Sequence, residues 1–304
     1  MSKVLTLLYH RINTLSKDVN LLAVTPEHFY EQMRWVKSRY PIVRFEDNWD
    51  LLSEDSICIT FDDGYRDNFL NAIPILNELE IPATIFVSTG NIDTPNEMWW
   101  DELERNLLIE KDYKKEFRLQ DPLWGCSWNV STTERRLDLY YTLHWIMKNF
   151  LTIESRNNWI MQLERWNGFT NIGRPVNFSL QTEDLVNLDL RNITIGAHTV
   201  NHASLSKLGR EKQYEEILVS KRRLEEIFKK EIQVFSYPFG GKDDYNADTI
   251  SICSELGFVK AAANVKGIWN EVTNKYEIPR CIVRNWKLEE YKKNIDLFWK
   301  GSQV

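Results

Sequence analysis

The chain has 304 residues, enough for one large core or two modest ones. With 43% hydrophobic residues, 27% charged residues and a formal net charge of −6, it has the make-up of a soluble globular protein. The negative balance argues against a nucleic-acid scaffold, which needs clustered Lys and Arg. The one basic cluster, Lys221-Arg222-Arg223 with Lys229-Lys230, alternates with Glu225-Glu226 and reads as a solvated helix face. No run approaches the roughly 20 apolar residues of a membrane span. The stretch Met1 to His10 is too short in its apolar part for a signal peptide and lacks a small-residue cleavage site, so a cytoplasmic protein is expected. Cys58, Cys126, Cys253 and Cys281 show no CxxC spacing and read as buried free thiols.

In chain order, Val4 to Leu8 reads as a buried strand ending at Tyr9-His10. Thr25-Pro26-Glu27 starts a helix, with Thr as N-cap and Pro at the first helical position, and Phe29, Met33 and Val36 follow at helical spacing. Ile57 to Phe61 is the next buried strand, Asn71 to Leu79 a helix, and Ala83 to Val87 another strand. Strands alternating with helices indicate parallel βα units. From about residue 91 to 180 that rhythm breaks into a helical pattern carrying Trp99, Trp100, Trp124, Trp128, Trp145, Trp159 and Trp166. The excess of Trp reads as packing of an insertion onto the rest or as a sugar-stacking wall. The rhythm resumes with a short helix capped by Thr182 and a strand at Ile193 to Gly196. An amphipathic helix over Gln213 to Lys229 and a strand from Val234 into the turn Tyr237-Pro238-Phe239-Gly240 follow. A helix at Asp248 to Leu256 is stopped by Gly257, and strands are expected at Phe258 to Ala263 and near Tyr276 to Arg280.

Two segments carry chemistry. Asp62 and Asp63 follow a β-branched run, and Gly64 lets the backbone turn, so both carboxylates can reach one pocket at the strand's C-terminal end. Taken alone, Asp-Asp-Gly is also an ordinary turn. His198 and His202 are four apart, which on one side of a helical turn suits chelation of one ion; by themselves they read rather as ordinary surface or core histidines. Together, one carboxylate and two imidazoles can hold a divalent cation while the other carboxylate works on a water. Neutral imidazoles with a carboxylate suit Zn²⁺ best, with Co²⁺, Ni²⁺ or Fe²⁺ also fitting. The Tyr237 to Gly240 turn can present a main-chain N–H to a reacting carbonyl, or simply end a strand.

Thr60-Phe61-Asp62-Asp63-Gly64, His198-Thr199-Val200-Asn201-His202 and Phe235-Ser236-Tyr237-Pro238-Phe239-Gly240 stand in this order. They resemble the first three motifs of the polysaccharide deacetylases, the NodB-homology carbohydrate esterases. The resemblance covers about residues 1–90 and 180–285 and leaves out the Trp-rich stretch. It implies an α/β fold, a distorted (β/α)7 TIM-like barrel, spanning 1–304 as a single barrel with the helical insertion at about 91–180. It also implies that Asp62 is the general base, that Asp63, His198 and His202 bind the metal, and that the third motif, through Tyr237 and the Phe239 N–H, meets the substrate and its oxyanion.

Two departures are visible. Ser236 stands near the place of the Arg that usually tethers the base, and Arg280 is the candidate substitute. The usual C-terminal Leu-x-x-His is missing, since no histidine follows His202. Leu8-Tyr9-His10 resembles the arrangement of circularly permuted members such as the poly-N-acetylglucosamine deacetylases, which makes His10 the candidate general acid. His28 and His144 have no partner motif and read as structural. The expected activity is metal-dependent N-deacetylation of amino sugars in a glycan or a lipid- or nucleotide-linked precursor. The alternatives are a deformylase or cyclic amidohydrolase on the same barrel, or a catalytically silent glycan-binding protein. The sequence leaves the oligomeric state open.

Overall fold

The computed structural model describes residues 2–109, 111–169, 172–187 and 189–301. The chain divides into two compact units, one formed by Met1–Ile92 with Leu180–Val304 and the other by Asp93–Ser179.

The first unit is a curled parallel sheet. Its strands are β1 (Val4–Tyr9), β2 (Ser56–Phe61), β3 (Ala83–Val87), β4 (Ile193–Ala197), β5 (Val234–Ser236), β6 (Lys260–Ala262) and β7 (Cys281–Ile282). They lie in the order β6-β5-β4-β3-β2-β1-β7, with the short strand Ile42–Val43 also pairing with β2. Beyond β6 the sheet bonds to the segment that leads into β7: Ile278 N donates to Ala261 O at 3.0 Å and Ala263 N to Ile278 O at 2.9 Å. That contact joins the two ends of the sheet, as a barrel requires. The strands are buried on both faces, as the outer helices of parallel βα units demand.

Alternation along each strand sorts residues into two cores. Leu5, Leu7, Tyr9, Ile57, Ile59, Phe61, Ile195, Ala197, Phe235, Tyr237 and Cys281 belong to the large cluster shared with the helices. Val4, Cys58, Phe86, Val234 and Ala262 belong to a smaller one with Phe45, Trp49 and Trp269, which fills the inside of the sheet. Residues of the second parity are Thr6, Leu8 and His10 on β1, Cys58, Thr60 and Asp62 on β2, and Gly196 and His198 on β4. Ser236 follows on β5 and Arg280 ahead of β7. The site chemistry is therefore collected by strand parity.

The helices lie close to the expected positions, with informative shifts. Thr25 caps Pro26–Lys37, its side chain accepting from His28 N. The helix expected from Asn71 begins earlier, as a π-helical turn at Asn68–Ala72 that runs into Ile73–Glu78. The earlier start puts Asn68 within reach of the end of β1, where its Nδ2 donates to the His10 carbonyl at 2.8 Å. Arg210–Phe228, Ala247–Glu255 and Leu288–Trp299 follow.

The second unit has helices Trp99–Leu108, Thr133–Asn149 and Ile153–Asn167, but it is not purely helical. Glu116–Leu119 and Cys126–Asn129 form an antiparallel hairpin, where Phe117 and Leu119 are buried between exposed neighbours. That alternation is the strand signal that a reading based on helical spacing passes over. Trp99, Trp100 and Trp159 are buried, and the aromatic contacts run within the unit: Trp99 against Trp100 and His144, Trp124 against Trp159, Phe117 against Trp128 and Trp166. These rings pack the unit's own interior, whereas Trp145 and Phe150 are exposed. Ion pairs, Arg174 with Glu97 and Glu104 and the largely buried Arg105 with Glu164, cross the same unit. Cys58, Cys253 and Cys281 are buried, but Cys126 is exposed because it lies on the hairpin, not in either core.

Candidate active site

The ends of β2, β4, β5 and the approach to β7 bring the motif residues together at the C-terminal mouth of the sheet. Asp62 follows the last residue of β2 and keeps the inward parity of Cys58 and Thr60. Asp63 would point the other way in a continuing strand, but its backbone turns at φ +74°, followed by Gly64 at φ +75°. A Cβ on Gly64 would stand 2.8 Å from Val87 Cγ1, so the turn needs glycine for space as well as for its dihedral. The left-handed turn swings both carboxylates to one side.

The Asp63 Oδ1 atom lies 3.2 Å from His202 Nε2 and 3.6 Å from His198 Nε2. The expected helical turn is absent. His198 to His202 form an irregular loop at the end of β4, with Thr199 at φ +62° and His202 at φ +48°. Non-glycine residues in that region cost about 1–3 kcal/mol each and persist where neighbours over-determine them. Here the neighbours are polar. His202 N donates to Thr199 Oγ1 at 3.1 Å, and Glu216 accepts from Val200 N, Asn201 N and Asn201 Nδ2 at 3.2, 2.8 and 2.6 Å. Glu216 is a buried carboxylate on the helix Arg210–Phe228. Its signal was a Glu at a position of that helix facing the core.

His198 Nδ1–H donates to the Ser236 carbonyl at 2.7 Å, which sets the tautomer and turns Nε2 toward Asp63. The imidazoles meet edge to face, 4.9 Å apart, and the Phe239 ring stands 4.7 Å from His202. One ligand atom from each of Asp63, His198 and His202 lies within 4.8 Å of the others, and all three residues are buried. Two neutral imidazole nitrogens and one carboxylate, held from behind by the backbone, fit a divalent cation.

The electrostatics point the same way. Burial pushes the Asp63 carboxyl up, but the two facing imidazoles outweigh it and hold it well below the usual carboxylate range. Burial lowers the His202 pKa. It also acts against a proton on His198, yet the charges of Asp62 and Asp63 overcome it and raise that histidine. The site thus keeps Asp63 ionised beside the two imidazoles, of which His198 is raised and His202 lowered.

Asp62 is bound differently. Arg280 Nη1 donates to Oδ1 and Nη2 to Oδ2, both at 2.7 Å, with Arg280 fully buried. Nη2 also donates to Ser236 Oγ at 2.8 Å, and the Ser236 hydroxyl donates to Asp62 Oδ2 at 3.1 Å. The Arg280 Nε donates to the Ala263 carbonyl at 2.9 Å. Burial disfavours the Asp62 charge, and Arg280 then His198 more than compensate, leaving the carboxyl below its ordinary range. Asp62 Oδ2 is 3.9 Å from His198 Nε2, so it borders the cluster without joining it. Ser236 takes part as a bridge between base candidate and guanidinium.

His10 leaves β1 between β2 and β7, which flank that strand. Burial lowers its pKa, while Asp63 and Asp62 act in the opposite direction and Arg280 and Arg284 reinforce the lowering. Among the described residues nothing hydrogen-bonds its ring. Its backbone is held by Asn68, and Asp67, paired with buried Arg11 at 2.8 Å, accepts from Ile12 N.

Tyr237 requires a correction. Its parity is that of Phe235, so its side chain lies in the outer core, with its hydroxyl donating to the Tyr276 carbonyl at 2.9 Å and its ring stacked on Tyr245 at 4.3 Å. Its side chain helps to build the turn from that side. Phe239 stands at the site at φ +61°, and its carbonyl accepts from Asn264 Nδ2 at 3.1 Å. The two remaining histidines are structural: His28 Nδ1 lies 2.7 Å from Asn285 Oδ1, and His144 packs on Trp99.

A sequence model of the polysaccharide deacetylase family matches residues 51–110 and 168–261, just over half of the chain. Those segments contain Asp62, Asp63, His198, His202 and the Tyr237–Phe239 turn, whereas His10 and Arg280 lie outside them. The chain is 21% identical over 321 residues to the poly-β-1,6-N-acetyl-D-glucosamine N-deacetylase of Staphylococcus aureus, covering 100% of this chain and 86% of that protein. Its fold is similar to that of the Streptococcus pyogenes deacetylase PplD in complex with acetate, at a TM-score of 0.59 and 17% identity over 96% of this chain and 97% of the other. It is also similar to the polysaccharide deacetylase BC0361 from Bacillus cereus, at a TM-score of 0.61 and 19% identity over 96% and 69%.

Proposed function

The chain belongs to the polysaccharide deacetylase family, and on that premise we propose that it is a metal-dependent hydrolase releasing acetate from N-acetylated amino sugars of a glycan or glycan precursor. The single observation that carries the reading is the split of two adjacent carboxylates between two environments. Asp63 faces a pair of imidazoles, and Asp62 faces a guanidinium. That is the division of labour between a ligand and a base.

Asp63, His198 and His202 would hold the ion, most suitably Zn²⁺ given their donor atoms. When bound, it would supply Lewis-acid polarisation of the acetamide carbonyl and make water a better nucleophile near neutral pH. Asp62, kept ionised and aimed by Arg280 and Ser236, takes the proton as water oxygen bonds to the carbonyl carbon. The Phe239 main-chain N–H is assigned to the oxygen that gains charge in that step. His10 gives a proton to the sugar nitrogen as the C–N bond breaks, which leaves acetate and a free amine. Arg280 acts through Asp62 and is a positioning residue.

A silent glycan-binding protein would have no need for a base held by a buried guanidinium, so the hydrolase reading is preferred. The test is metal content by mass spectrometry together with acetate and formate release from N-acetylated and N-formylated glucosamine oligomers. Acetate release that follows stoichiometric metal supports the proposal. Formate release alone would move the activity to a deformylase, and glycan binding without either product in metal-loaded protein would sink it.

A further inference from the structure

A cavity of about 420 Å³ is lined by Asn13, Thr14, Asp18, Thr25, Arg284 and Asn285, among others. It opens where β1 and β7 end. Leu8 pairs with Ile282, and Val283 N donates to the Leu8 carbonyl at 2.9 Å, so Arg284 leaves the sheet beside Tyr9-His10. Its charge is one of those that His10 feels.

Arg284 is half-buried, yet it is poorly matched by its surroundings. Among the described residues its guanidinium makes one hydrogen bond, from Nη1 to the Leu21 carbonyl. Among the described residues no carboxylate lies within ion-pair distance of it. The acid nearest in effect is Asp18, whose oxygens accept from Leu22 N at 2.9 Å and Ala23 N at 2.8 Å. Partial burial disfavours the Arg284 charge, with Asp18 the one influence in its favour. A guanidinium has five N–H donors in a planar fork, so most of this one remains available. Asn285 adds a donor of the same kind. Its Oδ1 is taken by Thr25 N at 3.0 Å and His28 Nδ1 at 2.7 Å, which leaves its Nδ2 group to the cavity it lines. A half-buried cation and an amide donor lining one cavity suit a planar or tetrahedral oxyanion, and arginine matches both bidentately.

We infer that Arg284, with Asn285 beside it, forms a subsite for an anionic group, carboxylate or phosphate, carried by the substrate near the N-acetylated ring. This rests on the deacetylase reading and narrows it to acidic glycans or sugar phosphates. Arg284 is then a specificity residue, positioned on the side of the site where His10 stands.

The test compares wild type, Arg284→Gln and Arg284→Lys, all metal-loaded. The probes are neutral N-acetylglucosamine oligomers, oligomers alternating N-acetylglucosamine with glucuronate, and N-acetylglucosamine 1-phosphate. The readouts are kcat and KM for acetate release, and calorimetric binding of the same probes to protein carrying Asp62→Asn. Wild type is expected to favour one of the anionic probes, which identifies the group as carboxylate or phosphate. In Arg284→Gln the preference for that probe over the neutral oligomer should fall about 10- to 100-fold, through KM, as for loss of a charge-assisted hydrogen bond. Arg284→Lys keeps the charge and a donor for the Leu21 carbonyl, so it should retain part of the preference even if the Gln variant folds poorly. Equal use of neutral and anionic probes by wild type, or a preference that survives Arg284→Gln, overturns the inference. If no probe releases acetate, it is the deacetylase reading that fails. Calorimetry then still decides the subsite, which stands if Arg284→Gln weakens binding of the anionic probe and falls if it does not.

Discussion

Replacing Arg280 with Met removes the partner of a buried carboxylate while keeping an apolar chain of similar length. The guanidinium makes two 2.7 Å bonds to Asp62 and one of 2.8 Å to Ser236, with neither ion-pair partner appreciably exposed. Breaking a buried pair from one side costs about 3–5 kcal/mol, because the remaining charge is left without compensation. The sign of the pH dependence follows from burial. In the wild type the Asp62 pKa lies below its unfolded value, so its contribution to stability is present above the unfolded pKa and is lost as pH falls through the folded one. Without Arg280, burial dominates, the pKa moves above the unfolded value, and the ionised carboxylate becomes a penalty that protonation relieves. Denaturant unfolding from pH 4 to 8 should therefore show a deficit of about 3–5 kcal/mol near pH 8 that shrinks toward acid. The Asp62→Asn/Arg280→Met double variant should recover much of the loss at pH 8. A deficit that is the same at every pH, with no recovery in the double variant, would refute the view that Arg280 exists to hold Asp62 ionised.

Asp62→Asn is expected to keep a full equivalent of metal while kcat falls by about 10²–10⁴-fold, as for loss of a general base, whereas His198→Ala loses metal and turnover together. Metal content measured beside kcat separates the two, and near-normal acetate release from Asp62→Asn would remove it from the base role. For His10, a general acid must be protonated, so a pKa lowered by burial places the alkaline fall of kcat/KM below the ordinary value of 6.5. His10→Ala should slow turnover by about 10²-fold, retain metal and abolish that limb; an unchanged pH profile would put the acid elsewhere. Glu216→Gln keeps the shape of the side chain but weakens the clamp on Val200 and Asn201, and metal affinity should drop by about 10- to 100-fold, as for other partners that orient ligands. Unaltered affinity by competitive chelator titration would show that the loop holds its left-handed residues without it.

The chain order of residues already determined that β-branched runs become buried parallel strands, that Asp62-Asp63-Gly64 and His198 to His202 end two of them, and that the family motifs occur in order. These are local or periodic signals, readable because strand burial and turn chemistry act over a few neighbours. What the tertiary structure alone decided is longer in range. Arg280 reaches Asp62 across 218 positions because both have inward parity on strands brought round by the curl of the sheet. The side chain of Tyr237, one residue from Ser236, is turned into the outer core by the same parity. The histidine pair needs no helix, since Glu216 on the α-helix that follows accepts hydrogen bonds from Val200 and Asn201, which lie between the left-handed Thr199 and His202. In the Asp93–Ser179 unit, helical spacing concealed a hairpin, and the tryptophans found their partners among one another. Spacing along a chain specifies which way a side chain faces; only closure of the sheet specifies what stands opposite it.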